Sequence, residues 1–130
     1  MILAVVGSTL LEGNAEAKRL IVRAFDKYRP GGFTSGGAKG VDSMAEEYAR
    51  EYFNIVFGGD PSDRISVYRP TVRRWAGPGG FMERNLQIAQ KCDALVRITS
   101  SKTKTYGSGW TRDRAREMGK PTEDHVVVQP

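Results

Sequence analysis

The chain has 130 residues, 39% of them hydrophobic and 27% charged, with a formal net charge of +5 and a sequence pI of about 9.6. That length suits one domain, residues 1–130, able to bury a core without disulfides or a structural metal. The one cysteine, Cys92, excludes an intrachain disulfide and points to a reducing, cytoplasmic setting. The basic balance favours an anionic partner, with solubility alone as the plainer reading.

In chain order, Ile2 to Val6 is a continuous apolar run ended by Gly7, the pattern of a strand buried on both faces. No basic segment precedes it, and it falls far short of the roughly 20 apolar residues that span a bilayer, so no membrane partner is expected. Asn14 is placed to cap a first helix whose Ala17, Leu20, Ile21, Ala24, Phe25 and Tyr28 form one apolar stripe. Pro30-Gly31-Gly32 stops it. Phe33 to Ser35 reads as a second strand, and Val41, Met44, Ala45, Tyr48, Ala49 and Tyr52 as the stripe of a second helix. Asn54 to Phe57 reads as a third strand, followed by a loop from Gly58 to about Gly80. A third helix is expected over Phe81 to Cys92, with Met82, Leu86, Ala89 and Cys92 inward, and a fourth strand over Ala94 to Ile98. Thr99-Ser100-Ser101 opens a polar loop to about Gly109. A fourth helix then runs from about Trp110 to Met118, and His125 to Val128 is the fifth strand.

Strands alternating with helices predict an α/β fold: a doubly wound, Rossmann-like parallel sheet of about five strands with helices on both faces. In such sheets ligands bind outside the carboxyl ends of the strands, where the strand order switches. The loops that matter therefore follow the first four strands, and they hold most of the chain's 15 glycines.

The most informative of them is Ser35-Gly36-Gly37-Ala38-Lys39-Gly40-Val41-Asp42, leaving a strand and opening a helix. Glycines let the backbone approach a ligand, and the N–H groups of a helix start favour an anion. Lys39 adds a mobile positive charge, and Asp42 lies where a carboxylate caps the first turn. A tight turn without a ligand is the alternative; the motif is neither a Walker loop nor a full dinucleotide fingerprint. Gly7-Ser8-Thr9 closes the first strand with small residues. Tyr106-Gly107-Ser108-Gly109-Trp110-Thr111 again joins glycines and hydroxyls to a helix start, with Trp110 either a stacking surface or a core residue. Arg69 to Trp75 concentrates arginines beside a tryptophan, which suits phosphate and base contacts or a solvated basic loop. Arg84 and Asn85 sit on a helix expected to begin beside the cleft. The one histidine, His125, reads as structural, and no cluster has the spacing of metal ligands, so neither metal nor cofactor is expected.

Taken together, Val6-Gly7-Ser8, Gly36-Gly37-Ala38-Lys39-Gly40-Val41-Asp42-Ser43-Met44-Ala45, Trp75-Ala76-Gly77-Pro78 with Arg84-Asn85, and Gly107-Ser108-Gly109 with Gly119-Lys120-Pro121 resemble the SLOG superfamily of Rossmann-like proteins, closest to its small YspA-like branch. The resemblance implies sensors of nucleotide-derived ligands, with the Lonely Guy phosphoribohydrolases and the single-strand-binding proteins of natural transformation as more distant kin. It also implies a homo-oligomer, for which Tyr48 and Tyr52 are expected to be exposed. Thr9 stands where members often carry Arg, and the segment before Arg84 is longer than usual. By the same resemblance Arg84 looks like the phosphoribohydrolase arginine, while the acid falls near Asp113, one methylene shorter than the expected Glu. The leading expectation is a binding module for a phosphorylated, nucleotide-derived small molecule, contacting Gly7, Ser8, Thr9, Ser35 to Gly40, Asp42, Arg84, Asn85 and Gly107 to Thr111. The alternatives are a nucleoside monophosphate phosphoribohydrolase using Arg84 and Asp113, and a single-stranded DNA binder.

Overall fold

The computed structural model describes residues 1–103 and 106–130, so positions 104 and 105 of the expected polar loop lie outside the described residues. Five strands, β1 (Ile2–Gly7), β2 (Gly32–Ser35), β3 (Ile65–Val67), β4 (Ala94–Ser100) and β5 (Thr122–Val127), form one sheet in the order β3-β2-β1-β4-β5. Every neighbouring pair is parallel. Four helices supply the crossovers that parallel pairing demands: α1 (Ala15–Tyr28), α2 (Val41–Phe57), α3 (Phe81–Lys91) and α4 (Tyr106–Glu117). The fold is α/β, with helices packed on both faces of the sheet, as the element order predicts.

β1 is the central strand because it is apolar without interruption, and Leu3, Ala4 and Val5 have no exposed surface. Its side chains alternate between two cores. Leu3 and Val5 join Val96 and Ile98 against Ile21, Phe25, Ala45, Ala49 and Phe53 of α1 and α2. Ala4, Val6 and Leu95 meet Ile88, Ala89, Cys92 and Ala115 on the other face. Small residues dominate this second layer. Asn14 caps α1 by accepting from the Ala17 N–H at 2.9 Å, a contact worth about 1 kcal/mol. Arg29 then turns left-handed (φ 44°) ahead of Pro30.

Several expectations are corrected. Asn54 to Phe57 is not a strand but the last turn of α2, which runs unbroken until Gly58 and Gly59, both at positive φ. The run Ile55-Val56-Phe57 has the composition of a strand, yet Ile55 and Val56 are 76% and 53% exposed, and no strand lies beside them. The third strand is Ile65–Val67, inside the expected loop. It is a half-buried edge strand paired with β2, and three residues are too few to show a period. α4 begins at Tyr106, so Gly107, Ser108 and Gly109 lie in its first turns rather than in a loop before it. β4 extends to Ser100, and β5 starts at Thr122 and ends at Val127. On α3 the fully buried side chains are Ile88 and Ala89, while Met82 and Leu86 are half-buried. Tyr48 and Tyr52 are not exposed. Both pack on Phe25, each with ring centroids 5.1 Å away. Among the described residues no helix is long and apolar enough to cross a membrane.

Candidate functional site

The chain builds outward from β1 to β3 and then returns to place β4 on the other side of β1, which puts the crevice at the carboxyl ends of β1 and β4. Gly7-Ser8, the Gly36–Gly40 loop and the start of α2 meet there. Asp42, 5% exposed in the first turn of α2, holds them together. Its carboxylate accepts from the Gly7 N–H at 3.3 Å and from the Gly36 and Ala38 N–H groups at 3.2 and 3.5 Å. Burial pushes this carboxyl up to about 6, against the opposing pull of the Arg84 charge and of those three N–H groups.

The glycine loop therefore differs from an open anion cradle. The Gly36 and Ala38 N–H groups point inward to Asp42, the Gly40 N–H meets Glu12, and the Val41 N–H meets the Ser8 carbonyl at 3.2 Å. Among the described residues the N–H groups of Gly37 and Lys39 have no protein acceptor, and the Lys39 side chain is exposed. Ser8 is fully buried, and its hydroxyl accepts from the Leu10 N–H at 3.1 Å, whereas Thr9 is exposed. Ser35 is also fully buried, and its hydroxyl has no hydrogen-bond partner among the described residues.

Arg84, from the first turn of α3, lies across Gly36. Its Nη1 donates to the Gly36 carbonyl at 2.6 Å and more weakly to Tyr68 at 3.4 Å, and its Nε donates to Asn85 Oδ1 at 2.6 Å. Asn85 is 6% exposed and passes the chain of bonds on, donating from Nδ2 to the Gly107 carbonyl at 3.3 Å. A Cβ at Gly36 would overlap the Arg84 guanidinium, so close approach requires glycine there. At Gly37, φ is +69°, and a Cβ would stand 2.8 Å from Val67 Cγ1 and 2.9 Å from Arg69 Nε. Gly36, Gly37 and Ala38, with Arg69, Arg73, Phe81 and Arg84, line a cleft of about 620 Å³. Arg69 and Arg73 were legible in the sequence only as part of a basic stretch. What singles them out is β3, whose end carries Arg69 next to the glycine loop.

Residues 71–80 fold back on themselves. The Thr71 and Val72 N–H groups meet the Gly79 carbonyl at 2.8 and 3.1 Å. The first N–H groups of α3, from Phe81 and Met82, meet the carbonyls of Arg74 and Trp75 at 2.8 and 2.9 Å, so the loop caps the helix it precedes. Its far side carries Trp75 onto Trp110, with ring centroids 5.4 Å apart and planes at 89°. Arg114 lies over the Trp110 ring, 4.9 Å from its centre.

This second cleft, about 880 Å³, lies between the end of β4 and α4, and is lined by Trp75, Arg97, Thr99, Tyr106, Trp110 and Asp113 among others. Gly107 and Gly109 line it too. A Cβ at Gly109 would come within 3.3 Å of Arg97 Nη2. Arg97 donates to the Ser108 hydroxyl at 2.9 Å and reaches Asp124 at 3.2 Å. Thr111 is buried, with its hydroxyl on the Gly107 carbonyl at 2.8 Å. Asp113 is half exposed and paired with Arg112 at 3.0 Å. Arg84 and Asp113 thus line different clefts, and the carboxylate that faces Arg84 is Asp42. His125 sits 3.2 Å from Glu123 on β5 and lines neither cleft. Compared with known proteins, the chain matches no family model and no curated protein matches it significantly; its own geometry gives an α/β fold on a five-stranded, all-parallel sheet with two clefts at the carboxyl edge.

Proposed function

We propose that the chain binds a phosphorylated, nucleotide-derived small molecule in the glycine-loop cleft, as a sensor or sequestering module of the SLOG type. The observation that carries this reading is the convergence of Arg69, Arg73 and Arg84 on the Gly36–Ala38 backbone. Arginine forks suit phosphate oxygens, and hydrogen bonds to charged groups contribute roughly 1.5–3 kcal/mol each. The Gly37 N–H adds a donor that no protein group occupies among the described residues. Phe81 and Pro70 wall the cleft with apolar surface, the mixture expected of a small-ligand site.

The phosphoribohydrolase reading has less support, because its two working residues would have to act together, whereas Asp113 is held in an ion pair by Arg112 at 3.0 Å and Arg84 lines the other cleft, facing Asp42 instead. Asp113→Asn is therefore expected to keep near-normal nucleotide affinity, and the parent protein to release no free base from nucleoside monophosphates. Base release that disappears in Asp113→Asn would replace binding by hydrolysis.

Native mass spectrometry of the protein purified from cells tests the binding reading. A retained adduct carrying phosphate is expected in the parent and absent from Arg73→Ala. An adduct of equal occupancy in Arg73→Ala would place the ligand elsewhere.

A further inference from the structure

Resting on that reading, we infer that the ligand is bipartite: its phosphate end sits on the glycine loop and arginines, and a flat aromatic ring sits against Trp75 in the second cleft. The occupant is a base-bearing phosphate, not a sugar phosphate or an inorganic one.

One loop walls both clefts. Arg73 lines the first and Trp75 the second. A single residue separates Arg73 from Trp75, so their Cα atoms lie at most about 7 Å apart. The loop is tied down at both ends, by the Gly79 carbonyl at 2.8 Å and by the first turn of α3. The floors of the two clefts are joined as well. Hydrogen bonds run from Gly36 through Arg84 and Asn85 to Gly107, and Gly107 lines the second cleft. The two ends of a ligand would meet surfaces fixed relative to one another, which limits the ordering cost of binding.

The second cleft has aromatic surface to offer. Trp75 is 41% exposed although it meets Trp110 edge to face, and Tyr106 is 81% exposed. Trp110 is half-buried under Arg114 and acts as the anchor of the pair, leaving Trp75 as the stacking surface. Large aromatics left open beside a cleft gain by covering a ring. Arg97, Thr99, Lys102 and Asp113 on the same lining supply hydrogen-bond donors and acceptors for the edge of a heterocyclic ring.

Both tryptophans of the chain belong to this pair, so tryptophan emission, excited at wavelengths tyrosine does not absorb, reports on the second cleft. ADP, ribose 5-phosphate and inorganic pyrophosphate are titrated by calorimetry and by fluorescence. Pyrophosphate and ribose 5-phosphate are expected to bind without altering the emission, and ADP to bind more tightly and quench it. Trp75→Leu should weaken ADP about tenfold and leave pyrophosphate unchanged, and Trp75→Phe should restore most of the loss. Equal affinity for ADP and ribose 5-phosphate, or undiminished ADP binding by folded Trp75→Leu, overturns the aromatic subsite while leaving the phosphate site standing. Failure of all three probes to bind removes the phosphate site and the inference with it. Quenching by an oligothymidylate with no response to ADP overturns the inference in favour of single-stranded nucleic acid.

Discussion

Asp42 holds the glycine loop from inside, and the cost of burying its charge should be visible in solution. Because its folded pKa is raised from 3.8 to about 6, the native state binds the proton more tightly than the unfolded chain does. The associated stability is complete below the unfolded value and is lost as pH rises through about 6. The predicted loss is on the order of 3 kcal/mol between pH 4 and 7. Thermal melts across that range should show it in the parent and not in Asp42→Asn, and parallel curves for the two proteins would contradict it. Gly37 is a second test at this scale. The sequence suggests that a side chain there would block N–H groups facing the anion, but the structure adds a larger reason, the positive φ and the Arg69 guanidinium 2.9 Å from the missing Cβ. Gly37→Val should fold with reduced stability and lose at least tenfold in nucleotide affinity, read by calorimetry on a sample whose circular dichroism is unchanged. Arg84→Lys keeps the charge but cannot reproduce the paired bonds to Gly36 and Asn85. It should cost roughly 1–3 kcal/mol in denaturant unfolding and weaken nucleotide binding.

At the scale of elements, the loop before α3 decides both clefts. Gly80 has an ordinary φ of −81°, so it is not glycine for conformational reasons. A Cβ there would stand 2.7, 2.9 and 3.2 Å from the carbonyl oxygens of Arg74, Trp75 and Ala76. Gly80→Ala should therefore displace the loop, with a cost on the order of 2 kcal/mol and a change in tryptophan emission before any ligand is added. Unchanged emission and melting temperature would contradict the packed loop. The elements that were legible in the sequence are those that local patterns determine. Asn14 and Pro30 bound α1, the apolar stripe of α2 is plain, and β1 is apolar throughout. The misread elements are those that tertiary contact decides. Ile55-Val56-Phe57 has strand composition in a helical turn, β3 is three residues held by pairing with β2, and Gly107 and Gly109 lie within a helix secured by Asn85, Arg97 and Thr111.

At the scale of the molecule, strand and helix alternation gave the parallel sheet and located the site at its carboxyl edge. Glycine spacing brought out Gly36–Gly40, and Arg84 and Asn85 followed from their place on α3. The inward turn of the Gly36 and Ala38 N–H groups could not be read from spacing, because Asp42 has equal claim to cap a helix or to face a ligand. The separation of Arg84 from Asp113 was equally hidden, since it depends on how α3 and α4 pack against one face of the sheet. The central claim is that the arginines around the glycine loop grip a phosphate. Calorimetric titration of the parent protein and of an Arg69→Ala/Arg73→Ala double variant with ADP and with adenosine measures it directly. ADP should bind the parent, adenosine should bind far more weakly, and the double variant should lose the difference. Equal binding of ADP and adenosine by the parent, or ADP affinity unaltered in the folded double variant, would contradict the account.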